Sequence, residues 1–158
     1  MNLKKDRITL FVEYLKTNHK TVATMESCTG GYIANVITNV IGASDVFQFG
    51  AVTYSNETKI KMGVSKEIID TYSVYSNETA IEMATVIAKS ADADYGIGIT
   101  GILNSPEQSS IVYIAIYDTQ KKTAHHYTLS ADMSDRQDNK IIIANFIFDR
   151  LLELFVLS

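Results

Sequence analysis

Between Lys20 and Ile41 the hydrophobic period of the chain switches within a few residues, and that switch limits the fold more than any other feature. Lys20 to Met25 (KTVATM) reads as a short strand. Glu26-Ser27-Cys28-Thr29-Gly30-Gly31 interrupts it, and Tyr32 to Ile41 continues at helical spacing. A strand passing through a glycine-containing loop into a helix is the opening unit of an α/β fold. Similar alternation runs through the rest of the chain. Residues 3–18 carry Leu3, Ile8, Leu10, Phe11, Tyr14 and Leu15 between charges, a helical spacing. Phe49 to Ser55 (FGAVTYS) is rich in strand-forming residues and precedes a short helix over Asn56–Met62. Ser76-Asn77-Glu78 has the hydroxyl cap and first-turn acid of a helix start, followed by Ala80, Met83, Ala84 and Ile87 on one face.

Asp94 to Thr100 (DYGIGIT) then reads as a buried strand. Ile111–Tyr117 and Thr123–Leu129, joined by the polar stretch Asp118–Lys122, form an antiparallel hairpin. Ser134-Asp135-Arg136-Gln137 has capping-box spacing and opens a long helix, with Ile142, Ile143, Phe146, Ile147, Leu151, Leu152 and Phe155 directed inward. The expected architecture is a three-layer α/β/α domain with a mixed, mostly parallel sheet, a single domain over residues 1–158.

Composition narrows the function classes. The 158 residues are 46% apolar and 20% charged, ordinary for a globular domain with its own core. A net charge of -4 and the lack of a basic stripe disfavour nucleic acid as a partner. The lone Cys28 rules out an intramolecular disulfide. Met1–Arg7 leads into no apolar signal region, and no apolar run approaches the ~20 residues that span a bilayer, so no membrane association and a cytoplasmic location are expected. His125 and His126 are adjacent on a strand and point to opposite faces, and His19 is isolated, so neither zinc spacing nor a Ser-His-Asp triad is evident.

Ligands of open α/β sheets collect at the loops after strand carboxyl ends. In the first such loop, Ser27, Thr29, Gly30 and Gly31 precede a helix whose free N–H groups suit an anion, although a plain strand–helix turn with a hydroxyl cap has the same spacing. Ser44, in Gly42–Phe47, has no nucleophile-elbow sequence around it and reads equally as a cap. Tyr54 closes a strand and Lys59 projects from the next turn. A lysine activates a serine only when neutral, which burial or nearby cations achieve, and a solvated surface lysine is the alternative. Arg136 stands in the first turn of a helix, where a cation opposes the dipole. It either holds a phosphate with the helix N-terminus or pairs with Asp135 or Asp138.

Two strings together are specific: Glu26-Ser27-Cys28-Thr29-Gly30-Gly31, and Thr53-Tyr54-Ser55-Asn56-Glu57 followed by Lys59, with Ser44 between them. With Ala91–Gly96, Gly98–Ile102 and Ser134-Asp135-Arg136, they extend over nearly the whole chain. In these features the sequence resembles the C-terminal domain of the CinA (competence/damage-inducible) family, the nicotinamide-nucleotide amidohydrolases, and a stand-alone form of that domain is expected. The resemblance implies hydrolysis of nicotinamide mononucleotide to nicotinate mononucleotide and ammonia, a step of pyridine nucleotide salvage, with no metal or other cofactor. It assigns the nucleophile to Ser44 and its activation to Tyr54 and Lys59. Ser27, Thr29, Gly30, Gly31, Thr100, Gly101 and Arg136 are then substrate-binding, and a homodimer or higher homo-oligomer is implied. Residues 101–110 depart from the family pattern, being shorter and lacking its paired glycines and Lys-Pro-Val-Gly. That departure leaves two alternatives: a catalytically lapsed domain that binds a nucleotide or partner protein, and an amidase for another small carboxamide.

Overall fold

The computed structural model describes all residues, 1–158. A five-stranded sheet of order β2-β1-β3-β4-β5 lies between two helical layers. Its strands are β1 (Val22–Glu26), β2 (Gly50–Val52), β3 (Tyr95–Ile102), β4 (Ile111–Asp118) and β5 (Thr123–Ser130). β1 pairs in parallel with β2 on one side and β3 on the other, while β3–β4 and β4–β5 are antiparallel. The sheet is therefore mixed, with β4 alone running against the other strands.

The helices are α1 (Lys5–Thr17), α2 (Tyr32–Thr38), α3 (Asn56–Lys61), α4 (Lys66–Tyr72), α5 (Asn77–Ser90) and α6 (Arg136–Leu151). Ile8, Phe11, Val12 and Leu15 form the buried stripe of α1. They meet Ile33, Val36 and Ile37 of α2 and Ile143, Ile147, Phe148 and Leu151 of α6 in the main core, over one face of the sheet. On the other face α5 packs through small residues. A Cβ at Gly96 would lie 2.0 Å from Ala84 O, and one at Gly98 would lie 2.2 Å from Ala80 O. The glycines of β3 thus let strand and helix backbones touch, and Met83 and Ile87 then reach Ala23 and Met25 of β1.

Several expected boundaries move. α2 stops at Thr38 instead of Ile41: Asn39 caps it, Gly42 turns at φ 85°, and Ile41 is left 95% exposed. α4 is an element that periodicity alone did not reveal, a seven-residue helix capped by Ser65 with only Ile69 buried. The cap of α6 is Asp135 in place of Ser134. Its carboxylate accepts from Gln137 N at 2.7 Å and Asp138 N at 3.2 Å, so no Ser134–Gln137 capping box forms. Past Leu151 the helix widens into a π turn, Leu152–Val156, which stacks Phe155 on Tyr95 with centroids 4.3 Å apart. No helix is long and apolar enough to cross a membrane.

Candidate active site

The carboxyl ends of β1, β2 and β3 open onto one cavity of about 200 Å³. This is the place where an open α/β sheet most readily accepts a ligand, since strands on either side of β1 send their connections apart. Ser27 and Cys28 enter it directly after β1, and Tyr54, Asn56 and Lys59 follow β2. Gly101 to Leu103 close it at the end of β3, with Arg136 from the first turn of α6. A larger cavity of about 580 Å³ lies between α1 and α2, but it holds neither the Gly-rich loop nor any of the site residues expected from sequence.

Lys59 is delivered by the short helix α3. Ser55 Oγ accepts from Thr58 N at 3.1 Å, and Thr58 Oγ1 in return accepts from Ser55 N at 3.3 Å. This reciprocal cap fixes the turn, and Lys59 points inward with 1% of its surface exposed. Its Nζ donates to Thr53 O at 2.7 Å and to Ser27 Oγ at 3.2 Å. No carboxylate pairs with it. Burial holds its pKa below the ordinary lysine value, which favours the neutral amine. Beside it, burial pushes the Cys28 thiol up to about 12, so that sulfur stays protonated.

The structure does not bring Ser44 to Lys59. Ser44 is exposed on the 3-10 turn Ala43–Asp45, and two residues later Val46 O accepts from Val22 N at 2.8 Å, at the amino end of β1. Lys59 sits at the carboxyl end of the same strand, where Thr53 N donates to Glu26 O. The hydroxyl facing the amine is that of Ser27, which sequence reading had assigned to substrate binding.

The other expected site residues divide. Arg136 and Gly101 line the cavity. Arg136 Nη1 donates to Leu103 O and Nη2 to Tyr54 Oη at 3.3 Å, and neither Asp135 nor Asp138 pairs with it. Tyr54, 63% exposed, thus lines the cavity with its hydroxyl held by Arg136 and without a bond to Lys59. Thr29 is fully buried and donates to Glu26 Oε1 at 2.7 Å, so it supports the loop from behind. Gly30 and Gly31, at φ 61° and 93°, make the left-handed turn into α2 and do not line the cavity. Thr100 is buried and donates to Val74 O at 2.9 Å instead of facing a ligand. A Cβ at Gly101 would lie 2.4 Å from Ile111 O, so its glycine serves the close approach of β3 and β4.

The divergent 101–110 segment has a clear local role. Asn104 Nδ2 donates to Met133 O and Ser134 O at 2.9 and 3.1 Å, and its Oδ1 accepts from buried Asn139 Nδ2 at 2.7 Å. Together with the Leu103 carbonyl, this knot ties the loop to the start of α6 and fixes the guanidinium at the cavity mouth. Sequence reading had not singled out Asn104, Asn139, Val74 or Tyr75. Nowhere do three His, Cys, Asp or Glu side chains converge as metal ligands, and the polar groups around the cavity are hydroxyl, thiol, carboxamide, amine, guanidinium and phenol.

Similarity to known proteins agrees with this fold. A CinA-like protein of Kosmotoga olearia is 40% identical over 152 residues, covering 92% of this chain. The chain spans only 37% of that relative's length. Among solved structures, the competence/damage inducible protein CihA of Agrobacterium tumefaciens superposes with TM-score 0.81 at 28% identity, covering 98% of this chain and 99% of the other. A CinA superfamily protein of Escherichia coli gives 0.85 at 25% identity, with the same coverage. The profile of the CinA C-terminal domain matches residues 5–155, and the chain belongs to that family.

Proposed function

We propose that this domain hydrolyses the carboxamide of nicotinamide mononucleotide, with Ser27 as nucleophile and Lys59 as its general base. The observation that carries the reading is the contact between a buried, carboxylate-free amine and a serine hydroxyl at 3.2 Å in a cavity. A neutral Lys59 accepts the Ser27 proton as Oγ bonds to the amide carbon. The resulting ammonium gives that proton to the departing nitrogen, the C–N bond breaks, and ammonia leaves. Water then attacks the acyl-serine, Lys59 takes its proton and returns it to Ser27 Oγ, and the carboxylate product is released. The N–H of Cys28, which lines the cavity, has no carbonyl partner and would serve the oxyanion. Thr53 O, accepting from Nζ, keeps the amine aimed through the cycle.

The substrate assignment draws support from the family, from Arg136 and from the size of the cavity. About 200 Å³ admits the ring and its amide, and the ribose phosphate then extends to the mouth, where the exposed guanidinium keeps N–H donors beyond those used by Leu103 and Tyr54. Purified protein mixed with nicotinamide mononucleotide is expected to release ammonia and nicotinate mononucleotide in equal amounts. Lys59→Met, which fills the same space without a base, is expected to stop release. Full activity in that variant defeats the mechanism.

A further inference from the structure

One wall of the cavity takes no part in the bond-breaking steps. Val74 and Tyr75 form it, on the short connection from α4 to α5. Ser73 ends α4 at φ 79°, a left-handed conformation disfavoured for any residue with a Cβ. Several hydrogen bonds hold it there. Ser73 O accepts from Ser76 Oγ at 2.8 Å and from Thr79 Oγ1 at 2.7 Å, and Tyr75 N donates to Ser73 Oγ at 3.2 Å. From the sheet, Thr100 Oγ1 donates to Val74 O at 2.9 Å. The turn is over-determined, yet the ring it presents is not core: Tyr75 remains 44% exposed. A large aromatic carried on a fixed turn at the rim of a cavity, partly in water, is placed to meet a ligand face.

The charges around the cavity say which kind of face. Its lining includes Lys59 and Arg136 and no carboxylate. A cationic ring entering such a site has no acidic partner there, so its attraction must come from aromatic faces and from the charge of its own phosphate. Tyr75, and Tyr54 on the same lining, supply those faces.

We propose that Tyr75 is a specificity-determining residue that packs its ring on a planar, cationic heteroaromatic amide, and that Thr100 is the positioning residue that holds its turn in place. This rests on the amidase reading above. It predicts discrimination between a pyridinium carboxamide and the neutral, non-planar dihydropyridine that carries the same amide, ribose and phosphate.

The test uses the full chain with Ser27→Ala, so that bound amide is not consumed, titrated calorimetrically with nicotinamide mononucleotide and with its reduced form. The oxidised form is expected to bind about 3–10-fold more tightly. Adding Tyr75→Leu should bring that ratio close to one, whereas Tyr75→Phe should keep it. Thr100→Val should lower the ratio part of the way, and Thr100→Ser should restore it. In the protein with Ser27 intact, Tyr75→Leu should raise KM while kcat moves by less than about twofold, because stacking binds ground and transition states alike. An unchanged ratio in Tyr75→Leu, with both nucleotides still bound, overturns the role of Tyr75 and leaves the amidase reading standing. Failure of the Ser27→Ala protein to bind either nucleotide, with no ammonia released when Ser27 is intact, overturns both.

Discussion

Replacing Ser27 and Ser44 separately by alanine distinguishes the serine that contacts Lys59 from the one the family resemblance makes the nucleophile. The geometry gives the expected sizes. At one end of β1, Val46 O meets Val22 N, and at the other Thr53 N meets Glu26 O, both at 2.8 Å. Four residues at about 3.3 Å each separate these points by ~13 Å. Ser44 lies beyond the first and Lys59 hangs from the second, whereas proton transfer needs heavy atoms within about 3.2 Å. Ser27→Ala is therefore expected to lower kcat by at least about 10³-fold. Ser44→Ala, on an exposed turn, should stay within about twofold of wild type, since such surface changes are worth roughly 0.5 kcal/mol or less. The assay is ammonia released from nicotinamide mononucleotide, with thermal melts of both variants to show that each is folded. A folded Ser44→Ala protein as inactive as Ser27→Ala would refute the assignment, and so would a Ser27→Ala protein of normal rate.

Other predictions follow from the same contacts. Lys59→Met should cost about 10²–10⁴-fold in rate. Because burial depresses the Lys59 pKa below its ordinary 10.5, the unfolded chain binds more protons than the folded one between the two values, and wild-type stability rises with pH there. Melting curves from pH 7 to 10 should thus show wild type gaining on Lys59→Met as pH increases; a flat difference contradicts the buried, proton-poor amine. Gly98→Ala would place a Cβ 2.2 Å from Ala80 O and 2.6 Å from Ala84 N, backbone atoms of α5 that cannot rotate away. The expected loss is about 1–3 kcal/mol, a fall in Tm of roughly 2–12 °C. Cys28, with its pKa pushed up to about 12 by burial, should resist iodoacetamide at pH 8 in the native protein and react fully in denaturant, read by mass spectrometry; rapid native alkylation would contradict its burial.

The sheet and its long helices were legible because burial imposes a period on the sequence. Ile8, Phe11, Val12 and Leu15 mark α1, and the uninterrupted apolar run of β3 marks a strand covered on both faces. α4 was not legible, since about two turns with one buried residue leave no period to read. Lys59 and Arg136 were both named from the sequence, Lys59 through the family strings and Arg136 as a cation at a helix start, and both line the cavity. That Ser27 and not Ser44 meets Lys59 was not legible, because it depends on which end of β1 each loop meets, a property of register and not of spacing. Thr29 and Thr100 are substrate-binding by the resemblance, and in the structure both give their hydroxyls to the scaffold. Tyr75 gave no signal, for its significance lies in a strained turn that only the backbone discloses.

The order of two neighbouring residues explains how an amine this buried is left without a carboxylate partner. Glu26 closes β1 and Ser27 follows it with its N–H still donating to Ile99 O of β3, so strand-like alternation sends their side chains to opposite faces of the sheet. Glu26, 1% exposed, turns toward α2, where its carboxylate accepts from Thr29 Oγ1 and from the N–H groups of Ile33 and Ala34 at 2.7–3.0 Å. A negative charge at a helix N-terminus, with each of its oxygens engaged, is stable without a cation. The same alternation puts Ser27 on the face of Lys59. Were the register shifted by one residue, the acid would meet the lysine, an ion pair would hold the amine protonated, and no base would remain for the serine. The sheet itself therefore separates the carboxylate that anchors the loop from the amine that acts on it, and the Ser27–Lys59 contact depends on that separation as much as on either residue.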